Sequence, residues 1–279
     1  MNLQTLSMII AVITVAVVAA VVCGNARWKL STTQFLNRLD AAQVKQAPQF
    51  FSTKELEGLS VPVKRYFATV LKGGQPIVKA ATVVHRSTFN MGETTDNWKP
   101  FSSTQRVITS RRGFDWDARV MMFPDVAAHV HDSYIAGSGL LQVAILGLIP
   151  VVNIANSADL SKGEFMRFCA EAAWCFTALL PSQGVAWEGI DGQSAKAKVT
   201  DGNITVTLRL SFSQIGLIDT VLAASRGRLM GNKMTYAPWQ GRFSNYAERG
   251  GMQGGDGRHE RMASAGRRKT ILPWRNDRR

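Results

Sequence analysis

The chain has 279 residues, with 33 Lys and Arg against 20 Asp and Glu, a formal net charge of +13 and 46% hydrophobic residues. That apolar fraction excludes a wholly disordered chain, and three cysteines in so long a sequence exclude a disulfide-stapled miniprotein. A single apolar run is long enough to cross a bilayer, which excludes a multi-span membrane protein.

That run, residues 6–23, contains no charged residue. As a helix it would be about 27 Å long, close to the roughly 30 Å hydrocarbon core of a bilayer. We therefore predict an uncleaved transmembrane anchor over residues 1–30. The main alternative is a cleaved signal peptide with its site at Gly24-Asn25-Ala26, and a lipoprotein site at Cys23 is the weaker one.

The nearby basic residues Arg27, Lys29 and Arg38 all follow the apolar run. Under the positive-inside rule this favours a single-pass protein whose domain is cytoplasmic, although the sequence leaves the side open.

Residues 31–74 have helical patterns. Thr32 or Thr33 can cap a short helix, and Ser52 with Glu55 has the spacing of a capping box. After Pro62 one apolar helical stripe follows, formed by Val63, Tyr66, Phe67, Val70 and Leu71.

Residues 75–248 contain long stretches with a period of two, which predict antiparallel strands with one covered and one solvent-facing side. The alternating apolar positions include Phe114, Trp116, Val120, Leu208, Leu210 and Phe212. Two interruptions are predicted: a buried helix or loop at Leu140–Val152, and a helix from the capping box at Ser161 to about Leu179. The predicted fold class is α+β, mostly β: a curved antiparallel sheet with covering helices after one N-terminal transmembrane helix. By analogy it is a half-barrel like that of the lipoprotein carriers.

Asp132 shares its parity with Val130 and Tyr134, on the face that the pattern places in the core, so its carboxylate needs a partner. Arg167 can supply one, and Glu171 lies one helical turn further on. We favour a structural ion pair, and the alternative is a polar spot that recognises a ligand head group. The candidate ligand-binding residues are Asp132, Tyr134, Arg167, Glu171, Trp116 and Trp187.

His129 and His131 have the His-x-His spacing of some metal sites, but a third ligand such as His85 would have to come from another strand. The sequence also lacks a nucleophile elbow, a phosphate loop, His-Glu-x-x-His and Cys-x-x-Cys. We therefore predict neither a metal nor another cofactor.

Several motifs occur in a fixed order over about residues 55–248. They include Val61-Pro62-Val63-Lys64-Arg65-Tyr66-Phe67, Gly113-Phe114-Asp115-Trp116, Asp132 with Tyr134, Gly163-Glu164 with Arg167, and Trp239-Gln240-Gly241-Arg242-Phe243. This set resembles an uncharacterised bacterial family of membrane-anchored proteins, DUF6544. The resemblance implies an N-terminal anchor before a mostly β domain, and it adds no activity, because we expect none to be assigned to the family.

Residues 249–279 form a basic segment without an apolar period, which predicts a disordered tail. Similar proteins end in a Trp-Leu-Leu-Pro segment, and Arg261–Gly266 can be encoded so that a one-base shift reads Glu-Trp-Leu-Leu-Pro. Our hypothesis is that everything after about Met252 is a frameshift product, which the gene's nucleotide sequence would decide.

From these patterns we predict a non-enzymatic module that binds a membrane lipid or a hydrophobic small molecule in a container beneath the helix Glu164–Leu179. The predicted lining of this container consists of Trp116, Val120, Val130, Leu208, Leu210 and Phe212. The alternatives are an enzyme with a cleft formed by Asp132, Arg167 and Glu171, and a structural envelope or scaffold protein. The basic tail has Trp274 as its lone aromatic residue, so no specific nucleic acid is expected. The sequence does not indicate an oligomeric state.

Overall fold

The computed structural model describes residues 2–44, 46–92, 95–230, 233–249, 252–262 and 269–270. The chain begins with one uninterrupted helix of 39 residues, α1 (Leu3–Ala41). Its first half is the apolar run, whose side chains are largely exposed, and the buried residues Gly24, Trp28, Phe35 and Leu39 all lie in its second half.

The expected helix start at Thr32 or Thr33 is wrong. Both hydroxyls instead bond the carbonyl oxygen four residues back, Thr32 to Trp28 at 3.1 Å and Thr33 to Lys29 at 3.0 Å. Because a hydroxyl that bonds inside its own helix does not cap a new one, α1 continues through this segment without a break.

Two shorter elements follow α1 as predicted. The capping box of Ser52 and Glu55 opens a 3-10 turn at Thr53–Leu56. The second helix, α2 (Val61–Val70), has Pro62 in its first turn and buries the apolar stripe that its sequence predicts.

Most of the remaining domain is antiparallel β structure, in two sheets. The first is a meander of β1 (Ala80–Asn90), β2 (Trp98–Ile108), β3 (Gly113–Phe123), β4 (Val126–Ile135), β5 (Ser138–Ile145) and β6 (Ile149–Ala155). The second contains β7 (Val185–Asp191), β8 (Ser194–Asp201), β9 (Ile204–Phe212), β10 (Ile218–Met230) and β11 (Lys233–Arg249). The mostly β fold class with covering helices is therefore confirmed.

Two further strands link the sheets. β12 (Met252–Met262) pairs with β11, and the two-residue β13 (Lys269–Thr270) pairs with both β12 and β1. The strand order runs from β6 to β7 without pairing those two end strands, so the sheets do not close into a barrel. The tail predicted to be disordered thus contains strands, while residues 250–251, 263–268 and 271–279 lie outside the described part of the chain. The frameshift hypothesis stays a prediction.

The segment Leu140–Val152, expected to be a buried helix or loop, is a β-hairpin. Leu146 and Gly147 have φ values of +53° and +69°, so they turn β5 directly into β6. Two consecutive residues with positive φ form the turn type that suits the twist of a hairpin. The alternation is hidden in this stretch because apolar residues point to both faces of the sheet.

The third helix, α3 (Ala158–Glu171), begins earlier than predicted, because Ser157 and not Ser161 caps it. Three 3-10 turns follow at Ala172–Trp174, Phe176–Leu179 and Pro181–Gln183, so the helix does not extend to Leu179. α3 packs against β3, β4 and β5 of the first sheet and β9 and β10 of the second. We call the α3 side of the first sheet, which carries Phe114 and Trp116, its inner face.

The prediction of one solvent-facing side is wrong for β3 and β4. On the face opposite α3, which we call the outer face, Asp115, His129 and His131 are all buried. The second half of α1 lies across these strands and covers them. In β8 and β9 the predicted alternation is confirmed, with buried Ala197, Val199, Val206, Leu208 and Leu210 between exposed polar residues.

Candidate functional site

Arg167 lies in a buried polar cluster between α3 and the inner face. Its Nε donates to Oε1 of Glu171 at 2.8 Å, and its Nη1 donates to Oδ2 of Asp132 at 2.6 Å. The guanidinium carbon is 5.0 Å from the ring centroids of both Phe114 and Trp116. The predicted contacts of Arg167 with Asp132 and Glu171 are therefore confirmed, and Trp116 joins them.

Glu164 and Arg226 extend this cluster. Oε2 of Glu164 is 4.0 Å from Nη1 of Arg167, and its Oε1 is 3.6 Å from Nη2 of Arg226. Burial, and then the negative charge of Asp132, raise the pKa of Glu164 well above its usual range. Oε2 of Glu164 and Oδ1 of Asp132 have no donor among the described side chains, and a proton on Glu164 would supply one. With Glu164 neutral, two carboxylates balance two guanidinium groups.

Gln105 holds the far side of Glu171, donating from Nε2 to Oε2 at 2.7 Å. Both carboxylate oxygens of Glu171 are therefore paired, and the side chain of Arg167 is only 5% exposed. A buried arginine whose charge is matched in this way pins a helix to a sheet. These contacts fit the structural interpretation, and the ligand role of the cluster stays a prediction.

Tyr134 and Trp187 do not join the cluster. The hydroxyl of Tyr134 donates to Oδ2 of Asp201 at 2.7 Å, and burial followed by this bond raises its pKa. Trp187 donates to the carbonyl oxygen of Leu179 at 3.0 Å. The first contact ties β4 to the last residue of β8, and the second ties β7 to the 3-10 turns.

The histidines lie on different faces. His129 and His131 are beneath α1 on the outer face, whereas His85 shares its row with Ser103 and Ala118 of the inner face. The ring of His85 is 5.3 Å from that of Trp174. Among the described residues no group of three or more His, Cys, Asp or Glu side chains could hold a metal ion.

An open cleft lies on the outer face, between α1 and the β5–β6 hairpin, with a volume of about 270 Å³. Arg27, Trp28 and Ser31 form its helical wall. The hairpin forms the other wall, with Gln142, Val143, Ala144, Gly147, Leu148, Pro150, Val152 and Asn153. Arg27 has no ion-pair partner in the described part of the chain, and no acidic residue lines the cleft.

The sequence interpretation missed this cleft because it ended the anchor near residue 30. A signal was present, since Trp28, Thr32, Phe35 and Leu39 follow a spacing of four, three and four residues. Such spacing places side chains on one helix face, and three of these four are buried here. The hairpin wall was missed because Leu140–Val152 was interpreted as a helix or loop.

Residues 57–256 match a family of unknown function, DUF6920. The chain belongs to this family. The family number that the motifs suggested, DUF6544, was wrong, while the expectation that no activity is assigned to the family is confirmed. Neither the search of curated proteins nor the search of solved structures gave a match.

The DUF6920 match begins just before α2 and includes all strands from β1 to β11. Helix α1 lies outside it, although its second half packs against the matched domain. The apolar half of α1 is long enough to cross a membrane and could be a single anchor or a signal sequence.

Proposed function

We propose that this DUF6920 protein is an uncleaved, membrane-anchored module that binds the polar head of a membrane lipid in the cleft between α1 and the β5–β6 hairpin. The observation that carries the proposal is the position of the cleft. It opens where the apolar half of α1 ends and the domain begins, which is where the lipid head groups would lie.

The junction between helix and domain supports an uncleaved anchor. A Cβ atom on Gly24 would lie 2.5 Å from Cγ of Leu148 and 2.7 Å from the carbonyl oxygen of Leu146. The small-residue sequence that suggested a cleavage site is therefore explained by close packing of α1 against the hairpin. Gly24 is also buried within a helix, a poor substrate conformation for a protease that needs an extended chain.

The chemistry of the cleft supports a lipid head group as ligand. Arg27 offers a guanidinium that can bind a phosphate through two hydrogen bonds. The side-chain amides of Gln142 and Asn153 add polar groups, and they are bonded to each other at 3.1 Å. Leu148 and Pro150 provide apolar surface for the start of an acyl chain. A volume of about 270 Å³ suits a head group rather than a whole lipid.

The cleft also accommodates a ligand more readily than the place that the sequence suggested. Leu208, Leu210 and Phe212, predicted to line a container under α3, are at most 3% exposed and belong to one packed core with Phe165 and Phe168. The acidic and basic side chains proposed for an enzymatic cleft are paired with one another, so we propose no reaction.

The test compares lipid retention by two charge variants of the full chain, Arg27→Gln and Lys29→Gln, in nanodiscs that contain phosphatidylglycerol. Both variants lose one positive charge from α1, but Lys29 does not line the cleft. Native mass spectrometry after release from the nanodisc counts the bound lipids. We expect Arg27→Gln to weaken retention about tenfold, because a charge-assisted hydrogen bond contributes about 1.5–3 kcal/mol. Lys29→Gln should retain lipid like the unmodified chain. Equal losses of lipid retention in both variants would mean that lipid is held by non-specific charge attraction. Unchanged retention in Arg27→Gln would show that the cleft does not bind lipid in the proposed way.

A further inference from the structure

We infer that three exposed apolar side chains at one end of the first sheet, Phe123, Ile149 and Val151, enter the bilayer interface, so that the β domain lies against the membrane surface. We call these three residues the membrane rim. The inference rests on the proposed uncleaved anchor, but it concerns a contact with the bilayer itself and does not require a lipid in the cleft.

The direction of the strands places the rim at the end of the sheet from which the apolar half of α1 projects. Gly24 touches the turn between β5 and β6. Leu39, later in α1, packs with Ile108 and Ile135, the last residues of β2 and β4, at the other end of the sheet. α1 therefore runs roughly along β4 from its first residue to its last. If α1 crosses the bilayer, the strands stand roughly along the membrane normal, with the β3–β4 and β5–β6 turns towards the lipid.

The length of the apolar segment brings these turns to the membrane surface. Residues 3–23 span about 32 Å as a helix, which matches a hydrocarbon core of roughly 30 Å. Gly24 then lies at the edge of that core, and so does the β5–β6 turn packed on it. Phe123 is opposite Val126, two residues along β4 from Ala128, which is level with Ile145, so Phe123 extends about 7 Å further.

The exposure of the rim residues fits a lipid partner. Phe123 is 68% exposed, Ile149 63% and Val151 59%, although all three are large apolar side chains. Nζ of Lys99 lies 5.6 Å from the centroid of the Phe123 ring and donates to the carbonyl oxygen of Met122 at 3.0 Å. An aromatic ring beside an amino group is a side-chain pair suited to the boundary between acyl chains and phosphates.

The test measures depth by spin labels on the full chain in nanodiscs of phosphatidylcholine and phosphatidylglycerol. Cys23 is exposed and is replaced by Ala, while Cys169 and Cys175 are buried and free. Labels are introduced by Phe123→Cys, Ile149→Cys and Val151→Cys. The matched control is Ala136→Cys, in the exposed turn at the other end of β4. Accessibility to oxygen and to a water-soluble nickel chelate then gives the depth of each label.

We expect the three rim labels to be shielded from the nickel chelate and accessible to oxygen, and the Ala136 label to show the reverse. If the label at Phe123 or at Ile149 matches the Ala136 label, the rim does not enter the bilayer and the inference fails. Arg27→Gln, which removes the proposed head-group contact, should leave the depth at Phe123 unchanged. Failure of the lipid site and failure of the rim are thus separate results.

Discussion

The indole N–H of Trp28 donates to Oδ1 of Asp117 at 2.9 Å, while its ring stacks on His131 with centroids 4.7 Å apart. The hydroxyl oxygen of Thr32, whose proton bonds the carbonyl oxygen of Trp28, lies 3.2 Å from the other oxygen of Asp117, and Arg119 pairs with the same carboxylate. These contacts hold the second half of α1 on the outer face of the sheet.

We expect Trp28→Ala to lower the free energy of unfolding by about 3–5 kcal/mol, because it removes a large buried side chain. Trp28→Phe, which keeps a ring but loses the N–H, should cost about 1 kcal/mol. Denaturant unfolding of the full chain in detergent measures both. Lys29→Ala, on the exposed side of the same helix, is the control and should change stability by less than about 0.5 kcal/mol. Equal effects of Trp28→Ala and Lys29→Ala would show that this helix contributes nothing to the domain.

Replacing Arg167 by methionine should be among the most damaging single changes in the domain. It leaves Asp132 and Glu171 buried without their counter-charge, which costs about 3–5 kcal/mol. Arg86→Met, on an exposed position of β1, is the matched control. The triple change Asp132→Leu, Arg167→Met and Glu171→Leu should recover much of the loss, since it also removes the two carboxylates that Arg167→Met leaves without a counter-charge. A stable Arg167→Met variant would show that the cluster does not pin α3.

The raised pKa of Glu164 predicts a pH-dependent contribution to stability. The folded state holds this proton more tightly than the unfolded state, so the contribution is full at low pH and is lost as the pH rises through the folded pKa. Glu164→Gln removes the titration, and its melting temperature relative to the unmodified chain should be higher at pH 9 than at pH 5. Glu57→Gln, at an exposed position, should show no such difference. The same difference in both variants would exclude Glu164 as its source.

The titration of His129 should change stability with pH in the opposite direction to that of Glu164. Burial, and then the positive charge of Arg119, lower its pKa from 6.5 to about 4. The unfolded state therefore binds this proton first, and stability is lost as the pH falls from about 6.5 to 4, by up to roughly 3 kcal/mol. His129→Phe should flatten this part of a melting-temperature profile. The same variant at pH 8, where His129 is neutral in both states, gives the packing effect alone. A melting-temperature profile of His129→Phe that falls below pH 6.5 as steeply as that of the unmodified chain would contradict the prediction.

The alternation of apolar and polar residues could predict the strands and their inner face, but it could not predict which elements cover each face. Phe114, Trp116 and Asp132 were assigned to the inner side correctly because their neighbours of the same parity are apolar. Asp115 and His131 looked solvent-facing because they are polar, yet their charge and hydrogen-bonding needs are met by each other, with 3.2 Å between Nδ1 of His131 and Oδ1 of Asp115. Polarity therefore did not report exposure on this face.

The sequence could predict ion pairs of the buried cluster, but it could not predict where the cleft lies. Spacing along α3 was enough to pair Arg167 with Glu171, since residues four apart in a helix are neighbours. The contributions of Gln105 and Arg226 depend on how β2 and β10 are placed, and no local pattern carries that information. The cleft depends on a helix and a hairpin distant in sequence, and the hairpin itself was hidden by apolar residues on both of its faces.

If α1 is the anchor that we propose, its unbroken course leaves no flexible joint between the membrane-spanning part of the helix and the sheet. In a thinner bilayer this helix would tilt, as long hydrophobic helices do to reduce the mismatch between their length and the thickness of the hydrocarbon core. The strands would have to lean by the same angle, lifting one turn from the lipid while pressing another into it. Membrane thickness would thereby set the tilt of the whole domain relative to the bilayer.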